Sequence, residues 1–264
     1  MAPVDNMYVQ WLNDTFESAA DNAWLEGIDF TDLTLTQPTR VSNITQIFYE
    51  SGKIADRTRA ILHAGMEDVL SYQEFKKLVK IKKDMELALV RGSAATGTTG
   101  TANRMNGFAS VISTNKSDIS GVTLTEKVFI DFMELCYNNS DVLPTECYVG
   151  PKLKRTISLY TTKITHNRDA NEKVQGFVVN TYDSDFGPVN VFFHRDLPAS
   201  GTGNHDALLV DPNWFATGWL QPLRREVLQR GGLNERFQIS GELTLLYRNE
   251  KSAAYIANAS YDID

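Results

Sequence analysis

The chain has 264 residues, 42% of them hydrophobic and 22% charged, enough to bury one large or two modest cores, which excludes disorder as the default state. No apolar run approaches the roughly 20 residues needed to span a bilayer, and the opening MAPVDNMYVQ lacks the basic and apolar regions of a secretory signal, so the expectation is a soluble protein made in a cytoplasm, with no membrane contact. Net charge is −7, and its placement tells more than its size: residues 1–39 hold seven acids and no Lys or Arg, while the remainder carries 26 of each sign.

The acidic segment also carries Tyr8, Trp11, Phe16, Trp24, Leu25 and Phe30. Acid with aromatics predicts an arm that docks on something basic. YVQWLNDTF and QIFYESGKIAD are rich in aromatic and β-branched residues, and LTLTQPTRVSNIT lies between them with Pro38 and Asn43 as turn signals. The prediction is a two-stranded excursion over residues 8–56 with an irregular tip. Such a hairpin has too little core to stand alone and needs a surface to lie on.

From Arg57 to Arg91 apolar residues recur at helical spacing, with Gly65 as the only weak point. This predicts one helix of roughly 50 Å. Its middle holds Lys76, Lys77, Lys80, Lys82 and Lys83, either a solvated face or a surface for polyanions. RGSAATGTTGTANRMNG then breaks the helix. Gly92 and Gly97 have phosphate-loop spacing, but Thr98 stands where the lysine belongs and the loop follows a helix, so a mobile connector is expected instead.

Residues 122–187 read as an α/β unit. Thr123 and Glu126 form a capping-box pattern before the apolar stripe Val128, Phe129, Phe132, Met133, Leu135, Cys136. A strand ECYVG follows, Pro151 suits the first turn of a helix running to Tyr160, and a polar loop TKITHNRDANEK leads into a strand VQGFVVNTY. Cys136 and Cys147 match neither zinc-ligand spacing nor a disulfide framework, so buried, inert thiols are expected. The rest is strand-rich; its clearest strand alternates Phe237, Ile239, Leu243, Leu245 and Tyr247 against Gln238, Ser240, Glu242 and Thr244.

DFGPVNVFFHRDLP, residues 185–198, contains two protein-kinase words, yet DFG precedes HRD, the metal-binding asparagine is replaced by Gly201, and no glycine-rich loop with a strand lysine comes before them. Turn chemistry explains the stretch better, as a hairpin with Asp and Gly at its bend. There is no G-x-S-x-G elbow and no H-E-x-x-H, and His63, His166, His194 and His205 are scattered. The sequence therefore points to no catalytic, cofactor-binding or metal-binding residue.

The order of segments carries the remaining information. NAWLEGIDF, PTRVSNITQIF, AGMEDVLSYQEFKKLVKIKKDMELALVRG, RMNGF, YVGPKLKRTIS, YDSDFGPVNVFFHRDLP, LVDPNWFATGWLQPL and ELTLLYRNEKSAAYI, taken together from about Trp11 onward, resemble a major capsid protein of tailed bacteriophages with the Hong Kong 97 fold. The resemblance implies an α+β fold with a short N-terminal arm at 1–7, an extended β-hairpin loop at 8–56 and a peripheral domain with spine helix and connector at 57–121. An axial domain at 122–187 follows, and strands at 188–264 return to the peripheral domain. It implies self-assembly into pentamers and hexamers of an icosahedral head enclosing double-stranded DNA, built in the host bacterial cytoplasm, with portal and scaffold or decoration proteins as further partners. Trp11, Trp24, Leu25, Phe30 and Arg40 would supply inter-subunit contacts, and Lys76, Lys77, Lys80 and Lys83 would face the packaged DNA. A cargo-nanocompartment shell and a monomeric virion binding module are the alternatives.

Overall fold

The structure is a computed structural model that describes residues 2–14, 19–27, 29, 35, 37–61, 68–160, 181–197 and 205–261. In chain order its elements begin with β1 (Ala2–Pro3), β2 (Tyr8–Asn13), β3 (Thr39–Ile44), β4 (Gln46–Ala55), α1 (Asp56–Ala60), α2 (Val69–Arg91), α3 (Phe108–Val111) and β5 (Lys116–Asp118). They continue with α4 (Glu126–Ser140), β6 (Glu146–Val149), α5 (Pro151–Tyr160), β7 (Thr181–Ser184), β8 (Gly187–Phe193), β9 (His205–Val210), β10 (Phe215–Leu228), β11 (Asn234–Tyr247) and β12 (Ala254–Ala259).

The alternation of β11 places it at the centre of a four-stranded sheet, ordered β1-β10-β11-β4. Phe237, Ile239 and Leu243 of β11 and Phe48 and Ile54 of β4 bury one face against Leu70, Ile81 and Met85 of α2. Those three helix positions fall on one stripe of a 3.6-residue repeat, which is why α2 lies along the sheet. The predicted single helix over 57–91 is corrected to two. α1 stops at Ile61, whose backbone is extended, and α2 restarts after Asp68, also extended, whose carboxylate accepts from the N–H groups of Leu70 and Ser71. The 23 residues of α2 span about 34 Å; residues 62–67, with Gly65, lie outside the described residues.

The hairpin also differs from expectation. β2 pairs antiparallel with β3, from Tyr8 opposite Ile44 to Asn13 opposite Thr39, whereas the predicted second strand QIFYESGKIAD is β4, paired along its length with β11. The burial pattern explains the change: Phe48, Glu50 and Ile54 give β4 a face to set against α2, and β3 lacks one until Asn43. The chain switches sheets at Thr45, whose hydroxyl donates to Glu242 at 2.5 Å. Asn43 beside it accepts from Asn106 N and donates to Leu245 O, tying the hairpin root to the body.

Residues 92–107, expected to be a mobile connector, form a docked loop. Ala95 and Arg104 exchange both backbone hydrogen bonds, the Asn106 carboxamide accepts from Ala94 N, and Met105 is fully buried. Gly92 and Gly107 allow it to close on the helix end, because a Cβ on Gly107 would stand 2.4 Å from Leu89 O and 2.6 Å from Ala88 O.

A six-stranded mixed sheet, ordered β5-β12-β9-β6-β8-β7, forms the second layer system. α4 packs Phe129, Phe132 and Met133, and α5 packs Leu153 and Ile157, against Cys147, Val149, Val191 and Leu209 of the sheet. Pro151 opens α5 as predicted. The cap of α4 is Thr125, which accepts from Val128 N, and not Thr123, whose backbone is held in a parallel bridge to Ser260. Glu126 accepts instead from the Tyr182 hydroxyl at 2.7 Å. The strands after 188 divide between the sheets: β10 and β11 join the first, β8, β9 and β12 the second. The polar loop predicted after Tyr160 and most of the strand VQGFVVNTY fall outside the described residues. Both cysteines are free and buried; burial pushes the Cys136 thiol up to about 12 and Cys147 higher still.

Candidate assembly and nucleic-acid surfaces

The two kinase words stand at opposite ends of β8, a strand of about 20 Å. Asp185 and Phe186 form the two-residue turn from Ser184 to Gly187, which takes the left-handed backbone (φ +119°) that glycine tolerates. His194 begins where β8 ends; its Nδ1 accepts from Asp196 N, and its Nε2 lies 2.9 Å from a Glu86 carboxylate oxygen on α2. Arg91 donates to the backbone oxygens of Asp196 and Leu197. His-Arg-Asp thus fastens the second sheet to the helix of the first.

A cleft of about 530 Å³ opens beside that joint, lined by Phe108, Tyr148, His194, Leu208 and Phe215 among others. Its walls are mainly apolar. Glu146 accepts from the Tyr148 hydroxyl, and burial, with the neighbouring carboxylate, raises that phenol above its ordinary range, so it holds its proton. Among the described residues no group of three His, Cys, Asp or Glu is placed to hold a metal ion, and no helix is long and apolar enough to cross a membrane.

The residues predicted to touch neighbours do not converge. Trp11 is half-buried in its own chain: its indole N–H donates to Tyr247 O at 2.6 Å and its ring meets Tyr247 edge-on. Arg40, on β3, is exposed. Trp24 is 52% exposed and donates its indole N–H to Asn22 Oδ1, while Leu25 is 76% exposed. Phe30 lies outside the described residues.

The lysines divide as well. Lys77 and Lys80 both donate to Glu50, a carboxylate nearly buried on β4 that their hydrogen bonds hold below its ordinary range. Sequence reading missed Glu50; its signal was an acid at an inward position of an alternating strand. Lys76 and Lys83, seven residues apart, share the helix face opposite Leu70, Ile81 and Met85, with Lys82 on its flank. These three are exposed and make no ion pair with a described residue; Lys76 lies over the Tyr72 ring at 5.7 Å.

Comparison with known proteins places the chain. The sequence model of the SU10 major capsid protein family matches residues 1–260. No curated protein sequence matches. Among solved structures, the capsid of a native GTA particle aligns at a TM-score of 0.66 with 12% identity, over 98% of this chain and 87% of that one. A structure from Gordonia phage Cozz aligns at 0.65 with 12% identity, over 98% and 83%. The holo-SrpI encapsulin complex from Synechococcus elongatus PCC 7942 aligns at 0.64 with 11% identity, over 100% and 87%.

Proposed function

The chain belongs to the SU10 major capsid protein family, and from that premise we propose that its copies form the pentamers and hexamers of an icosahedral phage head enclosing double-stranded DNA. The α+β fold is the Hong Kong 97-type capsid fold anticipated from the sequence. The family and the fold point to a structural role as the major capsid protein of a phage. The observation that carries the reading is the family match over residues 1–260 combined with the exposure of Trp24, Leu25 and Leu35, which lie between the two hairpin strands. In this reading the four-stranded sheet with α2 is the peripheral domain, and the six-stranded sheet with α4 and α5 is the axial domain. The hairpin is the extended loop. Heterologous contacts of identical subunits close into rings, and many weak contacts add up to a stable container. Assembly takes place in the host bacterial cytoplasm, with portal and scaffold or decoration proteins completing the head.

Exposed residues of the arm and hairpin supply inter-subunit contacts, Trp24, Leu25 and Arg40 foremost. Lys76 and Lys83, with Lys82, supply the non-specific attraction for DNA, because phosphate contact needs cations that are not already neutralised. A second reading, a shell enclosing protein cargo, is favoured by the likeness to the encapsulin complex. Negative-stain microscopy with sedimentation of the purified protein decides the matter. Closed shells or five- and six-membered rings are expected, nucleic acid or protein inside them separates the two readings, and a stable monomer at high concentration supports the binding module instead.

A further inference from the structure

Self-assembly and DNA attraction make no use of the cleft at the joint of the two sheets. Its volume of about 530 Å³ falls inside the roughly 300–1,000 Å³ of small-molecule sites. Its walls come from both sheets: Phe215 and Leu245 from the first, Tyr148 and Leu208 from the second, with Phe108 of α3 beside them. The Phe108 and Phe215 rings stand 5.0 Å apart at a tilt of 52°, so one side of the cleft is aromatic.

The charges in it have one sign. Glu86 and Glu146 line the cleft, and no Lys or Arg does. Arg91, at the same joint, is engaged by the backbone oxygens of Asp196 and Leu197. His194 offers no countercharge either: its Nδ1 accepts from Asp196 N, which leaves the ring proton on Nε2 to be donated to Glu86. Glu146 receives only the Tyr148 hydroxyl among the described residues, through Oε2. The phenol oxygen and Glu146 Oε1 therefore remain as two acceptors side by side at the edge of an apolar wall. An anion placed there meets two carboxylates, and a purely apolar molecule strips water from Glu146 without replacing it. A cation answers both, and the aromatic side adds to its attraction.

We propose that this cleft is a binding site for a small organic cation, a primary amine on an aromatic or similarly flat apolar body. The ammonium sits between Glu146 and the Tyr148 oxygen, and the body lies against Phe108, Leu208 and Phe215. Glu86, whose side chain is 54% exposed and already held by His194, stands at the rim and steers the charge inward. Because the walls belong to both sheets, the bound amine braces one against the other. The assignment is independent of the shell reading, since every group in it comes from one chain.

Three indoles of one shape test it by equilibrium dialysis against the purified protein: tryptamine, neutral tryptophol and anionic indole-3-propionate. Tryptamine is expected to saturate at one per chain, about tenfold tighter than tryptophol, with indole-3-propionate weaker still. Tryptamine alone should also raise the melting temperature. Glu146→Gln is expected to reduce tryptamine to the level of tryptophol, whereas Glu134→Gln, the same change of charge at an exposed position of α4, should leave it unaltered. Ala216→Trp, made from an exposed position that lines the cleft, fills the space and should abolish binding of all three. Circular dichroism checks that each variant is folded, and Ala216→Trp decides the matter if Glu146→Gln does not fold. Absence of saturable tryptamine binding, equal affinity for the three indoles, equal losses in Glu146→Gln and Glu134→Gln, or binding that survives Ala216→Trp would each overturn the proposal and leave the shell reading untouched.

Discussion

Glu50 sets the terms at the scale of single residues. Its carboxylate is nearly out of water and is held by Lys77 and Lys80, both of which keep part of their side chains in solvent. Removing the charge while keeping the shape, Glu50→Gln, is expected to destabilise the fold at pH 7 by about 1 to 2 kcal/mol, at the low end for charged hydrogen bonds because the lysines regain hydration. The lysines hold the folded-state pKa below the ordinary 4.5, so the stabilisation is complete above that pH and is lost as pH falls through the lowered value. Urea melts of the two proteins should therefore differ at pH 7 and converge in acid; a gap independent of pH would mean that packing, not charge, is what the substitution removes. Gly107→Ala forces a Cβ against two backbone oxygens of α2 and is expected to destabilise by about 2 to 3 kcal/mol by the same assay. Cys136 and Cys147 should not react with a thiol reagent at pH 8 until denaturant is added, since both are buried and protonated; the pair was legible in the sequence from its spacing. Glu50 was not, because an acid on a strand looks exposed until the helix covering it is known.

At the scale of elements, period was legible and pairing was not. The buried stripe of α4, the Pro151 start of α5 and the alternation of β11 all follow from local chemistry that the chain carries within a dozen residues. Partner choice depends on residues far away: β3 replaces β4 beside β2 because β4 has a second face to bury on α2, and that is a fact about Ile81 and Met85, not about the hairpin. The caps show the same limit on a smaller scale. Thr123 and Glu126 fit the capping-box spacing, but Thr123 is held by its backbone to the Ser260 strand end and Thr125 does the capping. Thr125→Ala is accordingly expected to cost about 1 kcal/mol of stability in a thermal melt. Thr123→Ala, which keeps the backbone bridge, should cost less; the reverse order would return the cap to Thr123.

At the scale of the whole molecule, charge is arranged in layers. All seven units of net charge reside in residues 1–39, so the body is neutral overall and its exposed cations act locally. The four-stranded sheet separates two of these local groups, Lys53, Arg224 and Arg236 on the face turned away from α2 and Lys76, Lys82 and Lys83 on the far side of α2. Family resemblance suggested the helix lysines as a set, but sequence alone had no means of knowing that Glu50 pairs with two of them, with Asp84 as a second partner of Lys80. If the remaining three meet DNA, each phosphate they neutralise releases a counterion, and the slope of log K against log salt steepens by about 0.9 per contact. Replacing Lys76, Lys82 and Lys83 with Gln should then lower the affinity of assembled protein for duplex DNA at low salt, equally for any sequence, and flatten the slope by up to about 3. Replacing Lys77 and Lys80 should leave the slope nearly unchanged and lower stability instead, because their charge is already balanced within the chain. Equal slopes for the first set and the unaltered protein would place the DNA elsewhere on the shell. The contrast between the two sets, six positions apart at most on a single helix, is what separates a bound surface from a merely basic one.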